Sequence, residues 1–331
     1  RHRCPQPMTA ETPTPWDWEP QQPSRLDQPA GLLHLEGGDV RRFLHGQTSA
    51  AIELAPAGAW VPTCCITPTG RMLALAEVLL EEEGAWLVVR VGDAAAVRRS
   101  LDRVLFPADR VSLGPLESGV WIEALGPDTP VGVEAPGSAR QWQPLADGAG
   151  WQLGSRSWLL RDGAPLPDDL ASRSVLGPRE QERWRLQQGL PAMPAELNDD
   201  TNPFELGLAD RVSLTKGCYV GQETLAKLAT YDGVKQQLRR WQAPASQPGQ
   251  PEPAAGALLV DPGDGEGGRM GRVTSVLQLE DGSWIGLALV RRRGLEAGTL
   301  RLGPEPEAPE LRLSTPSGFK APPVGAGSQA R

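Results

Sequence analysis

Long apolar runs are missing from the sequence: none approaches the ~18 residues that a membrane-crossing helix requires, so no membrane partner is expected. Residues 1–11 are proline-rich with no apolar stretch, so no secretory signal is expected there, and Met8 reads as the natural start. Cysteine is scarce. Cys4, the adjacent Cys64 and Cys65, and Cys218 are too few in 331 residues for a disulfide framework, which suits a reducing cytoplasm. Histidine is scarcer still (His2, His34 and His45) and no Cys-x-x-Cys occurs. One lone cysteine cannot fill a tetrahedral site, so no metal centre held by this chain alone is expected. A Gly-x-Ser-x-Gly elbow is absent, and His45 with Ser49 has no third group to orient a nucleophile, which sets a hydrolase aside. Nor is there an excess of positive charge. The 33 Lys and Arg face 41 Asp and Glu, a net charge of −8, whereas proteins that grip nucleic acid through its phosphates carry a basic balance. No direct nucleic-acid contact is therefore expected. Lysine itself is nearly missing, represented by Lys216, Lys227, Lys235 and Lys320 alone, three of them in one short stretch.

What is present suits a globular protein: 39% hydrophobic residues can build a core, and the length exceeds a single core, so two or three units are expected. The fold class predicted is α+β, two ferredoxin-like (split βαβ) halves followed by a small antiparallel β-barrel. Residues 1–30 carry repeated prolines and residues 303–331 are rich in Pro, Gly and Ser, and the two read as a disordered leader and tail. The first half, 31–117, carries strands at 32–35, 60–66, 71–80, 86–91 and 111–116. Asp39 is placed to cap a helix at 40–45 that Gly46 ends. Asp93 is placed to cap a second helix, with Ala94, Val97, Leu101, Val104 and Leu105 at helical spacing and Pro107 as its stop. The second half, 118–235, echoes this order with a strand at 120–125, a hairpin at 150–153 and 157–161, and a helix from Pro178 to Gly189. Short alternating runs at 258–260, 271–279, 284–290 and 300–302 predict the barrel over 236–302, entered through a Pro/Gln/Ser linker at about 243–255.

The chemistry concentrates in Lys216-Gly217-Cys218-Tyr219-Val220-Gly221-Gln222-Glu223. Gly217 and Gly221 are expected to permit a tight turn with positive backbone angles that exposes the thiol. Good helix formers from Gln222 to Leu228 place Cys218 just before a helix N-terminus. There free N–H groups and Lys216 would favour thiolate over a thiol of ordinary pKa ~8.5. A thiolate attacks electrophiles or ligates metals; the bland alternative is a small buried hydrophobe. Gln222 and Glu223 would bond the loop or cap the helix. Three weaker patterns are read conservatively. The G-x-G-x-x-G at 263–268 lies between strands with no helix after it, and so reads as a hairpin loop. The acidic run 81–83 reads as a solvated turn. Eleven tryptophans stand against four Phe and two Tyr; Trp86, Trp121, Trp158 and Trp284 are expected in the core and Trp184 toward a flat ligand.

The octapeptide resembles the signature K-G-C-[FY]-x-G-Q-E of the YgfZ branch of the folate-binding T-protein-like family, relatives of the glycine-cleavage T-proteins. The resemblance extends to 185–191 (RLQQGLP), 194–198 (PAELN) and 202–208 (NPFELGL). It also takes in 35–39 with 43–49 near the start, and 271–275 with 286–291 near the end, covering about residues 30–302. It implies two ferredoxin-like domains and a barrel around a channel of tetrahydrofolate size. Tetrahydrofolate or another reduced folate would be the cofactor, held by Gln187, Glu196, Glu205, Trp184 and Lys227. Cys218 with Lys216 would carry the chemistry, in a loop of Gly217, Tyr219, Gly221, Gln222 and Glu223. The partners implied are folate and iron–sulfur enzymes or assembly proteins, including those of tRNA modification.

Three departures bear on activity. T-proteins carry an acidic pair where this chain has Gly70-Arg71-Met72-Leu73-Ala74-Leu75, without any acid. The glutamate that would meet the pterin falls at Gln187, and a family arginine appears as Lys227. The reading is therefore a tetrahydrofolate-binding accessory protein supporting iron–sulfur cluster assembly or repair through Cys218. A folate-dependent aminomethyltransferase-like transferase is the alternative, and whether the chain is an enzyme stays open.

Overall fold

The computed structural model describes residues 14–129, 140–263 and 268–325. Strand β3 (Met72–Leu80, MLALAEVLL) is apolar at all but one position because the sheet is covered on both sides. Ala74, Ala76, Val78 and Leu80 face helices α1 (Val40–Gln47) and α2 (Ala94–Asp102), packing with Val40, Leu44, Val97 and Leu101. Leu79 faces the other way, into a cluster with Trp86, Trp121 and Trp151. The period-2 alternation of a strand therefore puts Glu77, the one charge, on the face away from the helices.

The remaining strands of this sheet are β1 (Ser24–Glu36), β2 (Trp60–Ile66), β4 (Gly84–Gly92), β5 (Ser112–Leu125), β6 (Trp142–Pro144), β7 (Gly150–Leu153), β8 (Ser157–Arg161) and β9 (Ser174–Val175). Their order is β2-β3-β4-β1-β5-β8-β7-β6, antiparallel throughout, with β9 parallel beside β1. Along the chain α1 stands between β1 and β2, and α2 between β4 and β5. Beyond β5 the sheet continues as a meander. The strands expected at 111–116 and 120–125 are one strand, so the boundary drawn at 117/118 falls inside β5. The two halves share β1 and β5 as one continuous sheet.

After β8 come α3 (Asp168–Ala171), α4 (Pro178–Gln188), a long irregular passage and α5 (Gln222–Thr230). Gly189 ends α4 in the left-handed conformation expected of it. The second unit is a closed barrel, ordered β10-β13-β12-β11-β14-β15. Its strands are β10 (Gln236–Ala243), β11 (Leu258–Val260), β12 (Arg269–Gln278), β13 (Trp284–Arg291), β14 (Thr299–Leu302) and β15 (Glu310–Ser314). Its sequence signal missed β10, whose QQLRRWQA reads as too polar, and β15.

Both expected disordered ends are corrected where they are described. Trp16 is buried and β1 starts at Ser24, so residues 16–30 are part of the fold. At the other end β15 closes the barrel by pairing with β14 and β10. Beyond it Phe319 packs against the 202–208 turn, and Lys320 N–H donates to the Gly207 carbonyl at 2.8 Å. Asp39 does not cap α1 through its side chain. Its carboxylate instead accepts from Arg110, leaving Thr48, not Gly46, to end that helix; Asp93 does cap α2, accepting from Ala96 N–H at 3.0 Å. One apolar cluster joins the parts: Ile66, Met72 and Leu75 from the sheet, Leu186 from α4, Leu225 from α5, and Leu238, Ile285 and Leu287 from the barrel. The G-x-G-x-x-G at 263–268 lies largely outside the described residues; β11 and β12, which flank it, are paired antiparallel.

Candidate functional site

A cavity of about 730 Å³ opens between the sheet face opposite the helices, α4 and the 190–193 turn, a size within the range of small-molecule sites. Single charges inside apolar strands supply its floor: Glu77 from β3, Arg90 from β4 (GAWLVVRVG), and Trp121 with Glu123 from β5. Gln28 of β1 and Trp60 of β2 complete it. Arg211, on a single 3-10 turn (Ala209–Arg211), reaches in from the irregular passage. These groups satisfy one another. Glu77 accepts from the Trp60 indole N–H at 2.8 Å and from Arg211 Nη2 at 3.0 Å, and Arg90 Nη1 lies 3.7 Å from the same carboxylate. Arg211 also donates to the Ala76 carbonyl at 3.0 Å. Arg90 lies 3.8 Å over the Trp121 ring, donates to Gln28 Oε1, and stands 3.5 Å from Glu123, which accepts from the Trp121 indole. Burial pulls the Arg90 pKa down against the pull of Glu123 and Glu77.

Residues 70–75 carry no acid, but Glu77, further along the same strand, lines the cavity. Glu77, Arg90, Arg211 and Trp121 were all missed as site residues. The available signal was a lone charge in each of two otherwise apolar strands, since a buried charge needs a partner or a task.

The motif loop lies elsewhere, on the α1 side of the sheet. Cys218 is a free, exposed cysteine and is not part of the cavity wall. Gly221 has φ +79°, and a Cβ there would stand 2.7 Å from the Thr67 carbonyl oxygen, so only glycine suits it; α5 starts at the next residue. Gly217 has neither constraint: its φ is not positive and open space surrounds it. Lys216, expected to act on the thiol, directs its ammonium to three carbonyls, of His45 (2.5 Å), Thr48 (2.7 Å) and Ala50 (2.6 Å). Burial pulls its pKa down to about 7, while the three acceptors favour its charged form. Tyr219 is buried beneath that ammonium, 4.3 Å away, and donates to the Ser213 carbonyl at 2.9 Å; burial pushes its pKa up to about 12. Gln222 donates to the Lys216 carbonyl at 3.3 Å. His45 accepts at Nδ1 from the N–H groups of Ile52 and Glu53. Burial and Lys216 hold its pKa below the ordinary value.

Of the five residues expected to hold a folate, only Trp184 is in the cavity wall. Gln187 turns the other way and donates to the Trp18 carbonyl at 3.1 Å. Glu196, fully buried, accepts from Arg185 (3.1 Å), Ala192 N–H (3.0 Å) and Ser275 Oγ (2.6 Å), fastening α4 and the 190–196 turn to the barrel. Lys227 pairs with Glu223 at 2.7 Å on the exposed face of α5. That contact lowers the Glu223 pKa and raises that of Lys227. Glu205 accepts from Asn202 N–H at 3.2 Å inside its own turn, and burial raises its pKa. An acid whose folded pKa is raised costs stability as pH climbs from its unfolded value, 4.5, through the folded one. Glu205→Gln is therefore expected to raise the denaturation midpoint at pH 7 and to match wild type at pH 4, which paired urea titrations measure.

The acidic turn is likewise more than solvated: Glu81 accepts from the Trp86 indole at 3.1 Å and contacts His34 at 2.8 Å. Trp121, expected as core, is buried and also forms cavity wall. Among the described residues no three His, Cys, Asp or Glu side chains converge as a metal site, and no helix is long and apolar enough to cross a membrane.

The cavity volume would take a pterin with its aminobenzoate; of the indoles in its wall, Trp121 is buried beneath Arg90, and Trp60 packs against it with Arg140 5.4 Å over its ring. No family model matches the chain. Individual relatives do. A chloroplastic protein of Arabidopsis thaliana, named as a transferase, is 29% identical over 81% of this chain; the chain spans 65% of that relative's length. The tRNA-modifying protein YgfZ of Yersinia pseudotuberculosis is 25% identical over 91% of this chain and 96% of its own. Among solved structures, the glycine cleavage system aminomethyltransferase T of Bartonella henselae superposes with a TM-score of 0.70 at 20% identity, covering 92% of this chain and 88% of that one. It has the same fold. The KGCYVGQE loop, the closed barrel and these relatives together support a YgfZ/GcvT-type family for the chain.

Proposed function

We propose that the chain binds a reduced folate in the central cavity and supports iron–sulfur enzymes, those of tRNA modification among them, through the exposed thiol of Cys218. On the same reading the two parts of the large sheet are diverged ferredoxin-like halves, and the protein works in the cytoplasm. The observation that carries the proposal is the division of labour in the fold. A folate-sized cavity is walled by arginine and tryptophan, and a separate loop is built so that its one cysteine stands in solvent. The open space at Gly217, beside that thiol, lets a partner approach the backbone closely. The transferase alternative is disfavoured because both cavity carboxylates, Glu77 and Glu123, are already engaged by arginine and indole donors. Such a carboxylate is poorly placed to steer a reacting amine.

The test is complementation of cells lacking the protein, read as the activity of a cluster-dependent tRNA-modifying enzyme. Wild type is expected to restore it and Cys218→Ser, at matched expression, to fail. Equal rescue would overturn the role of the thiol.

A further inference from the structure

Another cavity, of about 360 Å³, opens on the helix-bearing face of the sheet, between α2, the end of β2 and the motif loop. Its origin is local. Ala96 and Ser100 stand four residues apart on one face of α2, and their short side chains leave a gap over the sheet. Ile66, Leu73, Val97, Leu101 and Val220 make its apolar lining. Cys65 also lines it, and burial pushes that thiol up to about 12, so this part of the wall is uncharged at neutral pH. Val104, in the wall as well, and Phe106 two residues on are exposed apolar side chains. The charges at this groove are of one sign. Among the described residues no Asp or Glu lines it; its charged residues are Arg99 and Arg103, both exposed, in a chain whose net charge is −8. Arg99 reaches Asp93 only at 3.9 Å, with both side chains more than half exposed, and Arg103 makes no ion pair among the described residues. So loose a pair holds a side chain weakly, which leaves both guanidinium groups open to an incoming carboxylate. Val220 is two residues from the exposed Cys218, which keeps their Cα atoms within about 7 Å of each other.

We infer that this groove docks the protein partner that Cys218 serves, taking a segment in which a large apolar side chain is flanked by aspartate or glutamate. The apolar side chain fills the gap beside Leu73 and Leu101, and the acids meet Arg99 and Arg103. The inference rests on the reading of Cys218 as a thiol that acts on a partner, and goes further, because that reading is silent on how the partner is held. An anchor buried in such a pocket supplies most of the affinity, while exposed charges around it set specificity and encounter rate. Reversing both arginines is therefore expected to weaken an acidic segment about tenfold, by a factor that shrinks with salt.

Selection of short random peptides, displayed on phage, against the full chain tests it. On wild type the enriched sequences are expected to share a large apolar residue with Asp or Glu around it. Ser100→Trp, which fills the gap from an exposed position, is expected to abolish their binding. Arg99→Glu combined with Arg103→Glu is expected to turn the selection toward Lys and Arg around the same anchor. Arg293→Glu, an equal charge change per residue on the exposed surface of the barrel unit, is expected to keep the wild-type sequences. An enriched peptide, made synthetically, is then expected to slow alkylation of Cys218 by a maleimide, read by mass on the fragment that contains it. No enrichment, enriched sequences without acids, binding that survives both groove variants, or a Cys218 alkylation rate unchanged by bound peptide overturns the inference. None of these outcomes depends on whether Cys218→Ser restores the cluster-dependent enzyme, so the docking inference and the thiol reading fail separately.

Discussion

Replacing Glu77 by alanine is expected to destabilise the protein by about 3–5 kcal/mol, the cost of breaking a buried ion pair from one side. Its carboxylate is only 1% exposed and meets two arginines that are themselves 11% and 15% exposed. Removing it leaves Arg211 with uncompensated charge beneath the cavity and Arg90 with Glu123 alone, and strips the Trp60 indole of its acceptor. The loss is not a measure of what the pair contributes, because an apolar replacement of all partners would relieve the desolvation cost as well. A double-mutant cycle separates the two. Glu77→Ala and Arg211→Ala together are expected to cost clearly less than the sum of the singles, with a coupling above ~1 kcal/mol. Urea denaturation with unchanged slope gives the numbers. A single-variant loss within ~0.5 kcal/mol would mean that solvent reaches the pair, and the floor of the cavity would need redrawing.

How much of this was legible follows from which interactions are local. The Asp93 cap, the Pro178 start and Gly189 stop of α4, and the barrel strands with clean alternation are written in a few adjacent residues, and sequence alone located them. The continuity of β5 was not. Gly114 and Gly119, with Pro115 between them, look like a break, yet β1 pairs along nearly the full length of the strand and overrides that local preference. The ends were misread for the same reason: proline content suggested disorder, while Trp16 and Phe319 are held by residues far away in the chain. At the site, the exposed thiol and the glycine at 221 were readable from the motif. The cavity floor was not, because Glu77, Arg90, Glu123 and Arg211 come from four separate segments and acquire meaning only when the sheet sets them side by side. Conversely, Glu196 and Glu205 carried the family's pattern but prove to hold turns together, a role that spacing along the chain cannot distinguish from ligand binding.

Lys216→Met is expected to lower stability by about 2–3 kcal/mol and to loosen the cysteine loop, and Lys216→Arg is expected not to restore it. The reason lies in the acceptor geometry. Three carbonyls converge on one ammonium, those of His45 and Thr48 belonging to the last turn and end of α1, where the helix dipole already favours a cation. A compact ammonium offers three donors to converging acceptors, whereas a guanidinium is a planar fork that cannot bond all three at once. This explains why lysine stands here in a chain that otherwise uses arginine for nearly every positive charge. Deleting the donors leaves the carbonyls of Thr48 and Ala50 short of partners in a buried region, and charged hydrogen bonds of this kind contribute more than neutral ones. The loop is tied to α1 at a second point, Val220 N–H to the Gly46 carbonyl at 3.0 Å, so loosening should be local and visible as faster amide exchange at Val220. Denaturation and exchange measured on both variants decide the matter. If Lys216→Arg matches wild type in both, positive charge alone suffices and the three-carbonyl cage is not what fixes the residue. If it fails while Glu223→Gln, which removes only the exposed pair with Lys227, leaves exchange unchanged, then Lys216 positions Cys218 through the backbone and not through its charge on the thiol.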